Sequence, residues 1–599
     1  MFNMERYLKK LERSYAKKFG KKDGTFPASV KAAWDGRSVI LTGNLPTVEE
    51  RYEIGSFFAK HCKKTARGIK PSSYKGLVND ILVNGKSEAP MKIPAVRDKK
   101  LEGFSADIVI IGAGVIGCAI ARELSRYDVS IAVLEKESDC AMHASSRNDG
   151  MIHPGFADNP KTIKGRLNTR GNRLYHKLDK ELGFETKWPG SFMLFNSLLL
   201  CLLLPLMHYR AKKNGVDGNV GYRSKKTVQN RDPHIRAKHY GGFWMPSAGI
   251  ASPFKVTIAF AENAVQNGVR FFFETAVTGF DMRKNKINAV FTNRGTVKAK
   301  IVINAAGLWS DKIAHFADDR FFSIHPRKGM DMILDKKKGM FQHTIIGMPN
   351  LFASAKKNSK GGGLVPCIEG NILVGPTARE VYDRENYSTD AEDVAQLSAQ
   401  IAMNAELSKA DVIAYYSGTR AANWEEDFIV EGSEKVANLV YAAAIQSPGF
   451  ASAPAIAEDI AAITLKRLAE QTGKSVLQKT SFKAERDAET ECAKLSAAEK
   501  NALIAQDSAY GKIVCRCEQV SEGEIRDAVR RCKMLGMETI GTDAVKRRCR
   551  AGTGRCHGGF CTPRVMEIIS GETGIPMGKI TKKGGSSFIL SGAITGGTQ

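Results

Sequence analysis

The chain has 599 residues, of which 43% are apolar and 25% charged. That length allows several domains, and both fractions match folded globular chains, so wholesale disorder is excluded. Lysine and arginine total 89 against 63 acidic residues, a net charge of +26. The excess lies mainly at the ends: residues 1–100 hold 22 basic and 10 acidic residues, and residues 511–599 are also net basic. No dense arginine–aromatic interleaving accompanies it, so no nucleic-acid partner is expected. An acidic membrane surface or an acidic protein fits the basic ends at least as well. Of 12 cysteines, six follow residue 510 and the rest are scattered, which predicts a reducing compartment rather than a disulfide framework. The segment MFNMERYLKKLERSYAKKFGKK has no apolar run of the secretory type. The expected location is the cytoplasm, with peripheral association at the cytoplasmic face of a membrane as a further expectation.

The first 100 residues read as a small α+β unit. Met4, Leu8, Leu11 and Tyr15 share one helical face. The preferred reading packs that face on its own domain, and the other makes it a surface-binding helix. Ser38–Thr42 is a short strand ending at Gly43, Val48–Cys62 has helical periodicity, and Leu77–Val83 is a second strand. This order weakly resembles BON-type modules, so a basic BON-like module is expected at 1–100. A charged linker, Arg97–Glu102, follows.

Ala106–Ile111 is a continuous apolar strand of the kind buried in parallel sheets. Gly112-Ala113-Gly114-Val115-Ile116-Gly117 follows, then a helix to about Leu124, a strand Ser130–Leu134 and an acid, Glu135, 18 residues after the last glycine. In this motif the first glycine allows the tight turn, the second lets backbone approach a pyrophosphate, and the third lets helix and strand pack closely. Glu135 can accept from both ribose hydroxyls. The pattern in its strand–turn–helix setting predicts dinucleotide binding. Lys300–Gly307 reads as a further strand ending in small residues, and Gln446–Gly449 opens a helix whose N-terminus can support negative charge on a reduced ring. No second G-x-G-x-x-G is present. The small substrate itself is therefore expected to reduce the cofactor.

The pieces DIVIIGAGVIGCAIARELS, SSRNDGMIHPGF, INAAGLWSDKIA, PRKG, GNILVGPTA and AAAIQSPGFASAPAIAEDIA resemble the FAD-dependent oxidoreductase family that includes D-amino-acid oxidase. Within that family the chain is most like anaerobic-type glycerol-3-phosphate dehydrogenase large subunits, with L-2-hydroxyglutarate oxidases near. The resemblance implies an α/β fold: a Rossmann-like FAD-binding domain at 104–490 with an inserted antiparallel-sheet substrate domain. It also implies FAD contacts at Gly112, Gly114, Gly117, Glu135, Ser146, Asn148, Gly150, Val277, Ala306, Gly307 and Gly449.

At the other end, Cys515-Arg516-Cys517 and Cys556-His557-Gly558-Gly559-Phe560-Cys561 are separated by 38 residues. C-x-C with C-x4-C is not usual zinc-finger spacing. A cluster of four thiolates is anionic, and nearby arginines such as Arg547 and Arg548, with glycine N–H groups, would stabilise it. The segment resembles BFD-like 2Fe-2S domains, which implies a 2Fe-2S cluster on Cys515, Cys517, Cys556 and Cys561. Structural zinc and free thiols remain the alternatives. Cys532 and Cys549 read as small buried apolar residues. A small helical iron–sulfur domain is expected at 511–565, followed by a tail at 566–599.

Three residues are candidates for catalysis. His153 follows the flavin loop and either takes a hydroxyl proton or is a satisfied structural histidine. Arg420 matches a family arginine that grips the substrate's anionic end, for which a forked guanidinium is suited. Arg327, beside Lys328 in PRKG, is a weaker candidate. There the family often continues with an acidic and an aromatic residue, whereas this chain has Met330-Asp331-Met332. The ten-residue run Leu198–Met207 is too short to span a bilayer, which takes roughly 20 residues. It is expected to be a buried core helix, with a membrane- or partner-facing patch as the second reading. The expected function is a flavin-dependent dehydrogenase of a small anionic 2-hydroxy compound, foremost sn-glycerol 3-phosphate, passing electrons through the cluster to a protein or quinone. The alternatives are oxidation of L-2-hydroxyglutarate or an amino or imino acid, and a catalytically silent electron-transfer or docking subunit.

Overall fold

The computed structural model describes residues 4–19, 27, 29–68, 74–348 and 362–591. Five parallel strands form the centre of the main domain, in the spatial order Arg270–Phe272, Ile131–Leu134, Phe104–Ile111, Gly295–Asn304 and Leu439–Ala443. Phe104–Ile111 must be apolar because both its faces are covered. Ile108 and Ile110 enter one core, with the helices Val115–Leu124, Pro253–Gln266 and Gly449–Thr472. Val109 and Ile111 enter the other, with Leu308, Trp309 and Tyr441. The Rossmann-like expectation is met, and the sheet brings the ends of Phe104–Ile111, Gly295–Asn304 and Leu439–Ala443 to one edge.

A nine-stranded sheet forms the second layer. Its long strands, Ile324–Leu334 and Val412–Asn423, pair antiparallel from Ile324↔Asn423 to Leu334↔Val412. Its pairings are antiparallel save that between Ile345–Gly347 and Ser191–Leu194, which is parallel. Strand alternation decides what Ile324–Leu334 presents to each side. Met330, Met332 and Leu334 fill the core on one face, while Arg327, Gly329 and Asp331 point the other way.

The N-terminal unit has the sheet order Val30–Trp34, Ser38–Leu45, Gly76–Val83, the first pair antiparallel and the second parallel. The helices Met4–Phe19 and Val48–Gly68 complete it. Leu8, Leu11 and Tyr15 are buried in its core, so the first helix packs on its own domain and offers no free apolar face. Trp424 of the main domain inserts into the same core. Arg384, 2% exposed, joins Asp311 to Glu88 at the unit's C-terminal edge.

The run Leu198–Met207 is not a buried helix. Leu198–Leu203 is a 3-10 helix and Leu204–Asn214 an α-helix. Leu198, Leu199, Leu202, Leu203 and Leu206 are exposed, and only Leu200 and Met207 of the run are buried. Composition marked the run as apolar, but only tertiary placement determines whether anything covers it. Among the described residues, no helix is long and apolar enough to cross a membrane.

The C-terminal unit begins with the hairpin Ile513–Cys515/Val520–Ser521, followed by the helices Glu522–Met534, Thr542–Cys549 and Thr562–Thr573. Ser521 and Glu524 form the capping box that their spacing predicts. The last helix runs across the expected edge at 565, because Val565, Met566, Ile568 and Ile569 belong to the unit's core.

Glu425 sits where the N-terminal unit meets the main domain. Tyr74 Oη donates to its carboxylate at 2.8 Å and Lys63 Nζ to its backbone carbonyl at 2.9 Å. Burial raises its carboxyl from 4.5 to about 7. The folded state therefore binds a proton that the unfolded state has lost, and stability falls as pH rises from 4.5 to about 7. Glu425→Gln, which cannot ionise, should melt at increasingly higher temperature than wild type across that window. A melting difference independent of pH would contradict this assignment.

Candidate functional site

A long cleft runs along the strand edge, from Glu135 and Thr275–Val277 at one end to Gln446–Phe450 at the other. Gly112 turns the chain at φ +104°, and a Cβ there would lie 2.6 Å from the carbonyl oxygen of Ala305. A Cβ on Gly117 would lie 1.9 Å from Gly112 O, so this helix and strand can meet only at glycine. Gly114 caps the helix Val115–Leu124, whose N-terminus faces the cleft. Glu135 is buried on the wall, where Oε2 accepts from Ala113 N at 2.7 Å and Oε1 from Glu137 N at 2.9 Å. Burial raises its carboxyl, and the two backbone donors oppose that rise. Its carboxylate retains lone pairs for a ribose. A close-approach turn, a helix N-terminus and a buried carboxylate in one cleft fit the adenosine diphosphate half of FAD.

Of the expected contact residues, Gly112, Gly114, Glu135, Asn148, Val277, Ala306, Gly307 and Gly449 line the cleft. Gly117 lies behind the turn. Ser146 and Gly150 do not line the cleft. Ser146 Oγ donates to His143 O, whereas the neighbouring Ser145 lines the wall and accepts from Val115 N at 2.8 Å. Within this irregular loop Asn148 lines the cleft as expected, and Ser145 does so in place of Ser146.

The cleft wall also carries His153, Arg147, Asp331 and Arg420. Arg420 lies opposite Arg327 across the two long strands, next to the Gly329↔Gly418 pair. A Cβ on Gly329 would come within 2.6 Å of the Arg420 guanidinium, so glycine makes the space the fork occupies. Arg420 donates to Thr377 O at 3.3 and 3.4 Å. Burial lowers its pKa, with the charge of Asp331 opposing. This is a buried cation on a cavity wall, held by one neutral oxygen.

Arg327 is different. Its Nε donates to Glu380 at 2.6 Å, Nη2 to Glu426 at 2.5 Å, and it does not line the cleft. Lys328 bonds Ser388 and Asp390. Both residues of PRKG are held in ion pairs away from the cleft, since two carboxylates already occupy the guanidinium.

Asp331 was singled out in the sequence only as a departure. It is 1% exposed, lines the cleft, and its Oδ1 has no hydrogen-bond partner. Burial and, after it, the charge of Asp149 push its carboxyl well above the usual range. Strand alternation from Arg327 through Gly329 would have placed it on the cleft side. Glu137, His143 and Glu385 bring three ligand atoms within 4.8 Å of one another. The Lys136 ammonium already bonds both carboxylates, so this trio is a charge network rather than a metal seat.

The four expected cluster cysteines come together as two pairs. Cys517 Sγ and Cys556 Sγ are 3.4 Å apart, and Cys515 is in hydrogen-bond contact with Cys561. Two irons with two thiolates each need such pairs. Backbone N–H groups of Glu518 and Gly552 reach Cys515, and those of Gly558 and Phe560 reach Cys556. The donor set fits a 2Fe-2S cluster. Cys515 and Cys561 are buried, whereas Cys517 and Cys556 are partly exposed. Arg547 and Arg548 do not surround the cysteines as expected. Arg547 Nη2 and Arg548 Nη1 donate to Asp139 Oδ2 at 2.6 and 2.9 Å, and Arg548 Nη2 donates to Oδ1 at 3.0 Å.

The fold and these two sites define a flavoprotein oxidoreductase with an attached iron–sulfur domain. The FAD dependent oxidoreductase family model matches residues 107–463, and the BFD-like [2Fe-2S] binding domain matches 513–570. The chain belongs to the FAD-dependent oxidoreductase family. It is 38% identical over 489 residues to a glycerol 3-phosphate dehydrogenase of Caloramator mitchellensis, covering 81% of this chain and 98% of that one. A glycerol 3-phosphate oxidase of Mycoplasma pneumoniae is 27% identical, over 59% of this chain and 93% of that one. The solved structure of the L-α-glycerophosphate oxidase of Mycoplasma pneumoniae, with FAD bound, superposes with a TM-score of 0.58 at 24% identity, covering 64% and 98% of the two chains.

Removing the Glu135 carboxylate should loosen the adenosine end alone. Glu135→Ala is expected to retain less FAD than wild type through gel filtration, by about ten-fold in affinity, with the cluster's visible absorption unchanged. Equal flavin retention would remove Glu135 from the site.

Proposed function

We propose that the chain oxidises sn-glycerol 3-phosphate to dihydroxyacetone phosphate and passes the electrons through its cluster to a protein or quinone acceptor. The observation that carries this reading is Arg420, a buried fork on the cleft wall whose donors are weakly engaged by one carbonyl. An anionic substrate group answers it, and a phosphate offers several oxygens to one planar guanidinium. The names of the relatives from Caloramator and Mycoplasma support the phosphate over a carboxylate.

When bound, FAD supplies a two-electron hydride acceptor and the cluster a one-electron relay. The chain's own residues do the rest. Arg420 fixes the phosphate end and so orients the secondary alcohol. His153 accepts the hydroxyl proton as the carbonyl forms and hydride leaves the same carbon. The buried Cys515–Cys561 pair faces the shared core, and the partly exposed Cys517–Cys556 pair is where an acceptor meets the protein.

Arg420→Ala tests the anion seat. Losing one charged partner costs on the order of 2–5 kcal/mol, roughly 30-fold to several-thousand-fold in kcat/KM for glycerol 3-phosphate. Oxidation of uncharged glycerol should change little, and the flavin and cluster spectra should persist. An unchanged ratio of the two efficiencies would mean that Arg420 does not read the phosphate. Preferential bleaching of the wild-type flavin by L-2-hydroxyglutarate or an amino acid would replace the substrate while keeping the enzyme class.

A further inference from the structure

The leucine-rich element Leu198–Asn214 takes no part in the cleft or the cluster. Leu198, Leu199 and Leu202 are 63, 70 and 76% exposed, and Leu203 and Leu206 are 42 and 46% exposed. In a 3-10 helix, side chains three apart stack on one line, which aligns Leu199 with Leu202 on the outer face. Leu200 and Met207 anchor the element from beneath, against Phe195, Phe243 and Met245. Tyr209 and Tyr222 are exposed beside it, 54 and 41%. Five leucines held out on a rigid, anchored turn form an apolar surface that water disfavours.

The charged residues of the segment itself are nearly all basic, although Arg210 shares a pocket with Asp158, Glu425 and Glu426. Residues 197–231 contain Arg210, Lys212, Lys213, Arg223, Lys225, Lys226 and Arg231, and a single acid, Asp217. Asp217 is already bound by Arg173, at 2.6 and 2.8 Å. Among the described residues, none of the seven basic side chains forms an ion pair. The helix Leu204–Asn214 packs on the strand Gly221–Arg223, which brings the two basic stretches to one side.

We propose that this element docks the protein on an anionic lipid bilayer, with the leucines entering the interface and the basic residues meeting the headgroups. Apolar insertion and a basic rim are the two signals that together make peripheral binding stable. A second copy of the chain is a poorer occupant, because a two-fold contact would set the same unpaired lysines against each other. The basic N-terminal helix does not compete for the role, since its apolar face is already buried. The inference is independent of the substrate.

Cosedimentation of the flavin- and cluster-loaded protein with vesicles tests it. Wild type should bind phosphatidylcholine vesicles containing phosphatidylglycerol, bind phosphatidylcholine alone poorly, and lose binding as salt rises. The double variant Leu199→Ser, Leu202→Ser should bind the mixed vesicles about ten-fold or more weakly. Lys212→Glu with Lys213→Glu should weaken binding to the mixed vesicles and leave the slight binding to phosphatidylcholine unchanged. Flavin content and dye-linked turnover without lipid should be unchanged in both, which shows that they fold. Equal vesicle binding by wild type and the leucine variant would overturn the proposal. So would a lipid-free dimer lost in that variant while wild type ignores vesicles, which would make the patch a self-association face.

Discussion

One buried carboxylate ties the electron-transfer domain to the flavin domain. Asp139, fully buried, lies four residues beyond Glu135 and receives both Arg547 and Arg548 from the C-terminal unit. Two guanidinium groups around it hold its carboxyl far below the ordinary range. Arg548 is itself 1% exposed, so neither ion has water to fall back on. Breaking such a pair by removing one partner typically costs about 3–5 kcal/mol, because the other charge remains buried and uncompensated. The pair therefore fixes where the cluster domain lies.

Other ion pairs repeat the constraint around the seam. Glu262, buried in the helix Pro253–Gln266, receives Arg531 at 2.8 Å. Arg294 reaches Glu538 at 2.8 Å, while Glu518 holds Arg550 from within the C-terminal unit at 3.0 Å. Arg550 also pairs with Glu369 at 3.2 Å, next to the strand Ile372–Gly375 of the sheet that carries Asp331. The cluster domain thus contacts both layers of the flavoprotein body. Of the cysteine pairs, Cys515–Cys561 is buried and Cys517–Cys556 partly exposed, and Lys336 of the flavoprotein body donates to the backbone carbonyl of Cys517 at 2.8 Å.

The sequence was legible where the determinants are local. The glycine turn, the strand before it and Glu135 lie within one short stretch, and each residue's role follows from its neighbours. The cluster was legible through the segment's resemblance to BFD-like 2Fe-2S domains, while the cysteine spacing by itself only argued against a usual zinc finger. Long-range partners were not legible. Arg547 and Arg548 read as counter-charges for the cluster until Asp139, some 400 positions earlier, was found between them. Arg327 read as a substrate group because Glu380 and Glu426 are far from it in sequence. The leucine run read as core because apolar composition does not reveal what covers it. Ser145 rather than Ser146 lines the cleft, in a loop with no period to set its register.

Anaerobic rapid mixing of Asp139→Asn with the proposed substrate, glycerol 3-phosphate, followed at the flavin and cluster absorption bands, tests the clamp most directly. Wild type provides the reference for both phases. The account predicts that the variant, with full flavin and iron content, bleaches its flavin at the wild-type rate but reduces its cluster far more slowly. Cluster reduction as fast as in wild type would contradict the claim that the Asp139 pair sets the electron-transfer geometry.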